Sequence, residues 1–395
     1  VNEDRWLLHQ LLESQAYRLA WWRMASEKIN YRRFFDVHEL VGIRVDDLAV
    51  FNATHSLILE LVEAGLVDGL RVDHIDGLFD PKLYLQRLPH ASTYAVVEKI
   101  LSDRESLPAD WPVQGTTGYE FLGLVNSVLT DADGFERLRA LWSQHTGIAA
   151  TREDIEYGRK KKVIDELFAG EFQDLGSALA AVAESDLYAR DLSPRELRRA
   201  LIEVTACLAI YRTYTTGETV SERDRNYLLR AVNEARHRES SIGAAAWDFL
   251  GRVLTLELPR NLTEEQKAAW VRLVMRWQQI SGPVMAKGVE DSTFYVYNPL
   301  ISMNEVGSIG RAIPVEEFHS HMQDRQKRWP NAMNATSTHD TKRSEDVRAR
   351  IAVLSEIPDE WRRHLQRWTR WHRERRGPVD LNEEWYIYQS LLGVW

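Results

Sequence analysis

Between residues 54 and 98 the chain reads helix, strand, helix, strand, and this order constrains the fold more than any other feature. Over 54–64, Thr54 is placed to cap a helix, Leu57, Leu61 and Ala64 share a face, and Gly65 suits a left-handed stop. Val67-Asp68-Gly69-Leu70-Arg71-Val72-Asp73 has a strand pattern, a helix begins near Asp80-Pro81, and Tyr94-Ala95-Val96-Val97-Glu98 is a second strand. Strands joined through a helix run parallel, so the expected class is α/β.

The flanking segments differ in character. Residues 3–28 read as one helix, with Leu8, Leu12, Ala16 and Leu19 at helical spacing, and Trp21 and Trp22 are expected to pack in a core rather than stack on a ligand. Residues 129–280 are almost wholly helical by pattern, without a fixed-period repeat; Ser193-Pro194-Arg195-Glu196 and Thr263-Glu264-Glu265-Gln266 are capping-box sequences. Residues 281–345 return to mixed structure, with strand-like Phe294–Tyr297 and Ala335–Thr338. After Thr341 helical patterns resume, and the Trp- and Arg-rich stretch 361–376 reads as an amphipathic packing helix. A chain of 395 residues exceeds one simple core, and three parts are expected: 1–128, a helical insertion over 129–280, and 281–395.

Composition removes several classes of function. With 44% apolar and 28% charged residues the chain is globular, and a net charge of −9 repels a phosphate backbone, so no nucleic-acid partner is expected. The one basic run, Arg159-Lys160-Lys161-Lys162, reads as a solvated helix face. Cys207, alone in an apolar stretch, forms no internal disulfide and reads as an inert thiol, which suits a reducing, cytoplasmic setting. No stretch has the length and apolarity to cross a membrane, and the N-terminus carries no signal-peptide pattern. The sequons at Asn52, Asn261 and Asn334 read as chance. The chain opens Val1-Asn2-Glu3 without Met and closes on an apolar tail, so a piece of a longer protein is expected.

Three acids, Asp73, Glu98 and Asp340, close three strand-like segments. Cleaving a glycosidic bond with retention takes two carboxyl groups about 5–5.5 Å apart, one attacking the anomeric carbon and one shuttling a proton. Such residues gather at one mouth of a (β/α)₈ barrel from the C-terminal ends of its strands. By the strand period of two, Arg71 shares a face with Asp73 and is placed to hold it ionised, as a nucleophile requires. Glu98 ends an apolar run, where partial burial raises a carboxyl pKa and suits a general acid. His339-Asp340 is a pair suited to neighbouring sugar hydroxyls. A metal site at Asp73, His74 and Asp76 is disfavoured, since successive strand residues point to opposite faces, and no cofactor is expected. Lys287 with Glu290 and Asp291 is either a substrate-contact loop or an ion pair, and Gly115-Thr116-Thr117-Gly118 lacks the Lys of a phosphate loop.

These residues carry a resemblance. Gly69–His74 resembles the fourth-strand motif of the α-amylase superfamily, Glu98 in Val96-Val97-Glu98-Lys99 its fifth-strand acid/base, His339-Asp340 its seventh-strand motif, and Phe35-Asp36-Val37-His38 the short loop motif ahead of the fourth strand. Asn30–Asp36, Asp73–Leu78, Pro112–Phe121, Met285–Asp291 and the long helical gap between Glu98 and Asp340 are similar to maltooligosyltrehalose synthases. The resemblance spans nearly the whole chain and implies part of a TIM (β/α)₈ barrel with a large, mainly helical insertion. It implies Asp73 as nucleophile, Glu98 as acid/base and Asp340 as transition-state stabiliser. It also implies that Arg71 orients Asp73, that His339 binds hydroxyls, and that His74 lies near the acceptor side. The implied reaction moves the reducing-end α-1,4 bond of a maltooligosaccharide to an α,α-1,1 bond, giving a maltooligosyl trehalose for a separate trehalose-releasing hydrolase. An α-amylase-like hydrolase, a 4-α-glucanotransferase and an inactive glucan-binding piece are the competing expectations. The first-strand motif and the N-terminal part of the barrel are not in this sequence.

Overall fold

The computed structural model describes residues 3–89, 93–217, 219–373 and 377–395. The chain is mainly helical with few strands. An antiparallel pair, β1 (Arg33–Phe34) and β2 (Val37–Val41), precedes an open three-stranded parallel sheet of β3 (Gly69–Val72), β4 (Tyr94–Val97) and β5 (Gly115–Thr116) in the order β3-β4-β5. The helix Pro81–Gln86, capped by Asp80 with Pro at its start, connects β3 to β4 and makes them parallel. Val72 and Val97 pack under the sheet with Phe51, Ile75, Leu85 and Trp111.

Six helices from Arg152–Leu167 to Glu264–Met285 enclose a second core around Phe172, Leu197, Trp247, Trp270 and Trp277. The helix Ala132–Thr146 instead gives Trp142 to a third core with Ile301, Trp361 and Trp385. Its contact with the turn Val353–Ser355 is tight: a Cβ on Gly134 would lie 1.6 Å from the Ser355 carbonyl oxygen. Gly134→Ala is expected to destabilise the protein by ~2–3 kcal/mol, read as a lowered thermal midpoint.

Several local expectations change. The segment 3–28 is a helix only over Arg5–Glu13, with short turns at Trp22–Met24 and Ala25–Lys28. Ser14 and Gln15 turn their side chains back to the Leu11 carbonyl, which competes with continued helix. Trp21 and Trp22 are exposed rather than in a core, with the Arg23 guanidinium against both rings. The helix expected over 54–64 runs Leu48–Glu63 and is capped by Asp47, a stronger acceptor than Thr54. Leu57 is exposed, and Phe51 and Val62 form the buried face.

Ser193 and Pro194 begin a helix, but the Ser193 side chain makes no cap bond and Glu196 accepts instead from the Gly243 amide. Thr263 and Gln266 complete their capping box. In the basic run, Lys160 is buried and donates to the Leu208 carbonyl, while Lys161 pairs with Glu203. The run is therefore not one solvated face. Phe294–Tyr297 is not a strand; a 3₁₀ turn spans Thr293–Tyr295. The Trp- and Arg-rich helix covers Pro358–His372 and buries Trp361 and Leu365, as an amphipathic packing helix does, while Glu374 and Arg376 lie outside the described residues. Burial pushes the Cys207 thiol up to about 12, so it is inert at neutral pH. Among the described residues no helix is long and apolar enough to cross a membrane.

Candidate active site

The sheet sets the site. Val72 pairs with Val97, and the Glu98 amide donates to the Val72 carbonyl at 2.8 Å. Asp73 and Glu98 are therefore the next residues at the same end of adjacent strands. Beyond them, β5 continues through Thr117, whose amide bonds the Val97 carbonyl at 3.0 Å, into the helix Tyr119–Val128.

The third acid arrives along the free side of β5, without the strand expected over Ala335–Thr338. Among the described residues a single backbone bond, Met333 N–H to the Thr116 carbonyl at 3.1 Å, starts a pairing that goes no further. The side chains compete for the backbone instead: Ser337 Oγ accepts from the Glu345 amide and Thr341 Oγ1 donates to the Thr338 carbonyl. The approach depends on Gly118, which has φ +96° and would place a Cβ 2.3 Å from the Met333 carbonyl oxygen. The Gly115–Gly118 stretch is thus a place of close backbone contact. The turn that follows delivers Asp340, whose Oδ2 accepts from the Tyr119 hydroxyl at 2.7 Å and lies 3.3 Å from His339 Nε2.

Asp73, His74, Glu98, His339 and Asp340 line one pocket. Arg71 stands beside it on β3 and donates to Asp73 Oδ1, while Leu70 and Val72 turn to the core. Although desolvation pulls the Arg71 guanidinium down, Asp73 and Glu98 hold it above its ordinary value. Burial pushes the Glu98 carboxyl up to about 7; the His74 amide, donating to Oε2 at 2.6 Å, opposes that rise, and the charges of Asp73, Asp76 and Asp340 add to it. That amide is aimed by a left-handed His74 backbone, φ 46° and ψ 49°, an uncommon conformation for a side chain of this size. The His74 ring packs against Phe35 and Phe34, with centroids 4.5 and 5.3 Å away, and burial lowers its pKa, so it is neutral near pH 7.

The pocket also holds groups that the sequence did not mark. Tyr119 lay inside the Pro112–Phe121 stretch, where nothing local singled it out. Tyr211 and Lys342 line the pocket from segments with no readable signal. Lys287, Glu290 and Asp291, which the sequence did mark as a contact loop or an ion pair, line it too, with Lys287 3.0 Å from Asp36 and 3.1 Å from Asp291, and Lys342 2.9 Å from Asp291.

No family model matches the chain. Two curated proteins are similar over nearly all of it: the putative maltooligosyl trehalose synthases of Mycobacterium tuberculosis strains CDC 1551 and H37Rv, 34% identical over 404 residues and 97% of this chain. Among solved structures, maltooligosyltrehalose synthase from Arthrobacter ramosus superposes with a TM-score of 0.85 at 36% identity over 98% of this chain. Over nearly its whole length the chain is similar to maltooligosyltrehalose synthases. A hypothetical maltooligosyl trehalose synthase from Sulfolobus tokodaii is a further structural relative, with a TM-score of 0.76 at 34% identity. The chain spans about half the length of the members it matches, 46% of the mycobacterial proteins and 47% of the Arthrobacter chain.

Proposed function

We propose that this site rearranges the reducing-end α-1,4 linkage of a maltooligosaccharide into an α,α-1,1 linkage, giving a maltooligosyl trehalose by a retaining double displacement. Asp73 attacks the anomeric carbon while Glu98 protonates the departing oxygen. Glu98 then takes the proton from the glucose 1-hydroxyl that attacks the glycosyl–Asp73 ester. Arg71 holds Asp73 in its orientation, Asp340 braced by Tyr119 stabilises the oxocarbenium-like transition state, and His339 bonds sugar hydroxyls.

One observation carries this reading: Asp73 and Glu98 end neighbouring parallel strands in register, with Glu98 holding its proton to about pH 7. Neighbouring strands run about 4.8 Å apart, which suits the short carboxyl separation of retaining enzymes. The mutase outcome, as opposed to hydrolysis, rests on the family. It requires the freed glucose to stay and turn before water attacks.

The same reading makes β3, β4 and β5 consecutive strands of a (β/α)₈ barrel, with the segment leading to Asp340 beside β5 and the helical block 129–280 as an insertion. Residues 1–128 and 281–395 then carry the early and late parts of the site. The product suits a separate trehalose-releasing hydrolase, and the protein works in the cytoplasm without a cofactor.

The test is the whole protein on maltopentaose. Reducing ends are expected to disappear without chain shortening. New reducing ends mean a hydrolase, a ladder of lengths a 4-α-glucanotransferase, and no change an inactive binder. The same assay gives the pH profile. Since Glu98 must enter protonated, kcat/KM is expected to be level below about pH 7 and to fall about tenfold per unit above it.

A further inference from the structure

Of the four residues in the basic run only Lys160 is buried, and nothing in the reaction uses it. It stands on the helix Arg152–Leu167, and its Nζ donates to the Leu208 carbonyl at 2.9 Å in a buried bond. Burial lowers its pKa, and the charge of Glu156, one turn earlier, opposes that. Leu208 follows the helix Pro194–Cys207 and opens the segment that brings Tyr211 to the catalytic pocket. Its carbonyl has no other donor among the described residues.

The stem of Lys160 meets a second segment. A π-helical turn, Ala286–Glu290, widens the end of the long helix Glu264–Met285 and lines the pocket through Ala286, Lys287 and Glu290. A Cβ on Gly288 in that turn would lie 2.7 Å from Lys160 Cγ and 3.0 Å from Lys160 Cα, so helix and turn touch at backbone distance. One side chain thus bears on both segments, shortly ahead of Tyr211 on one and of Glu290 on the other. Those two residues then join in the pocket, where the Tyr211 hydroxyl donates to Glu290 Oε1 at 2.5 Å.

We propose that Lys160 is a positioning residue for this wall of the pocket: by tying the segment before Tyr211 to the turn that ends in Glu290, it keeps the freed glucose enclosed until it has reacted. The inference rests on the mutase reading of the site. Rearrangement needs the glucose to stay while it turns, and a wall that shifts lets water reach the ester first. Without the amino group of Lys160 the Leu208 carbonyl is a buried acceptor with no partner, which is unfavourable. The segment relieves this by moving toward water, and Tyr211 moves with it.

The experiment compares the whole protein as wild type, Lys160→Met and Lys161→Met on maltopentaose, and reads glucose released per maltopentaose consumed. That share is a ratio of two fates of one intermediate, so a loss of folded protein does not move it. Methionine keeps the stem against Gly288 and removes the amino group. Lys160→Met is expected to raise the glucose share about fivefold or more, as a loosened enclosure admits water. Lys161, whose amino group pairs with Glu203 on the same helix, is the matched control. Its methionine variant is expected to lose thermal stability and to keep the wild-type share within about twofold. Equal shares in all three proteins overturn the inference, and so does an equal rise in both variants. If Lys160→Met does not fold, Ser281→Ala takes its place, since Ser281 Oγ donates to the Tyr211 carbonyl at 2.8 Å and is the segment's next tie. A share unchanged there overturns the inference as well. A wild type that forms no rearranged product sinks the mutase reading instead. Lys160 is then judged by calorimetric titration of maltopentaose into Asp73→Asn forms, which reports affinity apart from the fraction of folded protein. A Kd weakened about tenfold by Lys160→Met supports the positioning role, and an unchanged Kd removes it.

Discussion

Replacing Glu98 by Gln in the whole protein is expected to slow maltopentaose turnover by about 10²–10⁴-fold while leaving a glycosyl fluoride almost as reactive toward the first step. The glucan bond breaks only if its oxygen is protonated as it departs, and Glu98, pushed up to about 7, is the pocket's acid beside Asp73. Fluoride leaves as an anion and needs no proton, so Asp73 still closes its ester with the anomeric carbon. The second step then lacks its base, since an amide cannot take the proton from an incoming hydroxyl. The ester therefore accumulates. Intact mass should rise by the transferred glucan residue, and peptide mapping should place the label on Asp73. The steric change is small, because the His74 amide that donates to Glu98 Oε2 finds the carbonyl oxygen of the substituted side chain there once its amide group is turned that way. Equal losses on maltopentaose and the fluoride, or a label elsewhere, would remove Glu98 and Asp73 from the proposed roles.

How far the sequence carried this picture depends on the range of the interaction involved. Arg71 beside Asp73 follows from the period of two along a strand, and the structure pairs them. The match of Asp73 with Glu98 follows from two strands joined by one helix, and the register agrees. The Asp340 segment lay one step further off. Its β-like composition predicted a strand, but Ser337 and Thr341 tie the backbone locally, and packing against Gly115 and Gly118 brings the acid to the site without a ladder. Lys160 marks where local reading stops. In the run of four cations nothing distinguishes the one that turns inward to a carbonyl 48 positions away. Glu290 was legible, with Lys287 and Asp291, as part of either a substrate-contact loop or an ion pair. Its partner Tyr211 lies 79 positions away, and only the tertiary fold brings the two together.

The largest expected change in stability comes from Lys99→Met, one residue past Glu98. The Lys99 ammonium is buried between Asp76 Oδ2 at 3.1 Å and Glu105 Oε1 at 3.2 Å, with the Tyr211 and Tyr214 rings 5.2 and 5.8 Å away. Arg223 still reaches Glu105 at 2.7 Å, and the Tyr214 hydroxyl reaches Asp76 at 2.5 Å, but without Lys99 no ammonium or guanidinium pairs with the Asp76 carboxylate among the described residues. Methionine fills the volume and removes only the charge. The cost is therefore that of a buried carboxylate left uncompensated, ~3–5 kcal/mol. The sign of its pH dependence separates this cause from lost packing. Burial raises the Glu105 pKa even with both cations present, and removing Lys99 raises it further. A carboxyl that binds its proton more tightly folded than unfolded favours the fold at low pH and penalises it as pH rises through the folded pKa. Thermal unfolding should therefore show a wide gap between wild type and variant at pH 8 that narrows toward about pH 5. A gap of the same size at both would mean that Lys99 acts through its methylenes. The stake reaches beyond stability, because Lys99 ties the end of β4 to the turn after β3. That tie holds the His74 amide against Glu98, and the amide holds the carboxyl down, so a loosened variant should also raise the apparent pKa of the alkaline limb in the activity profile.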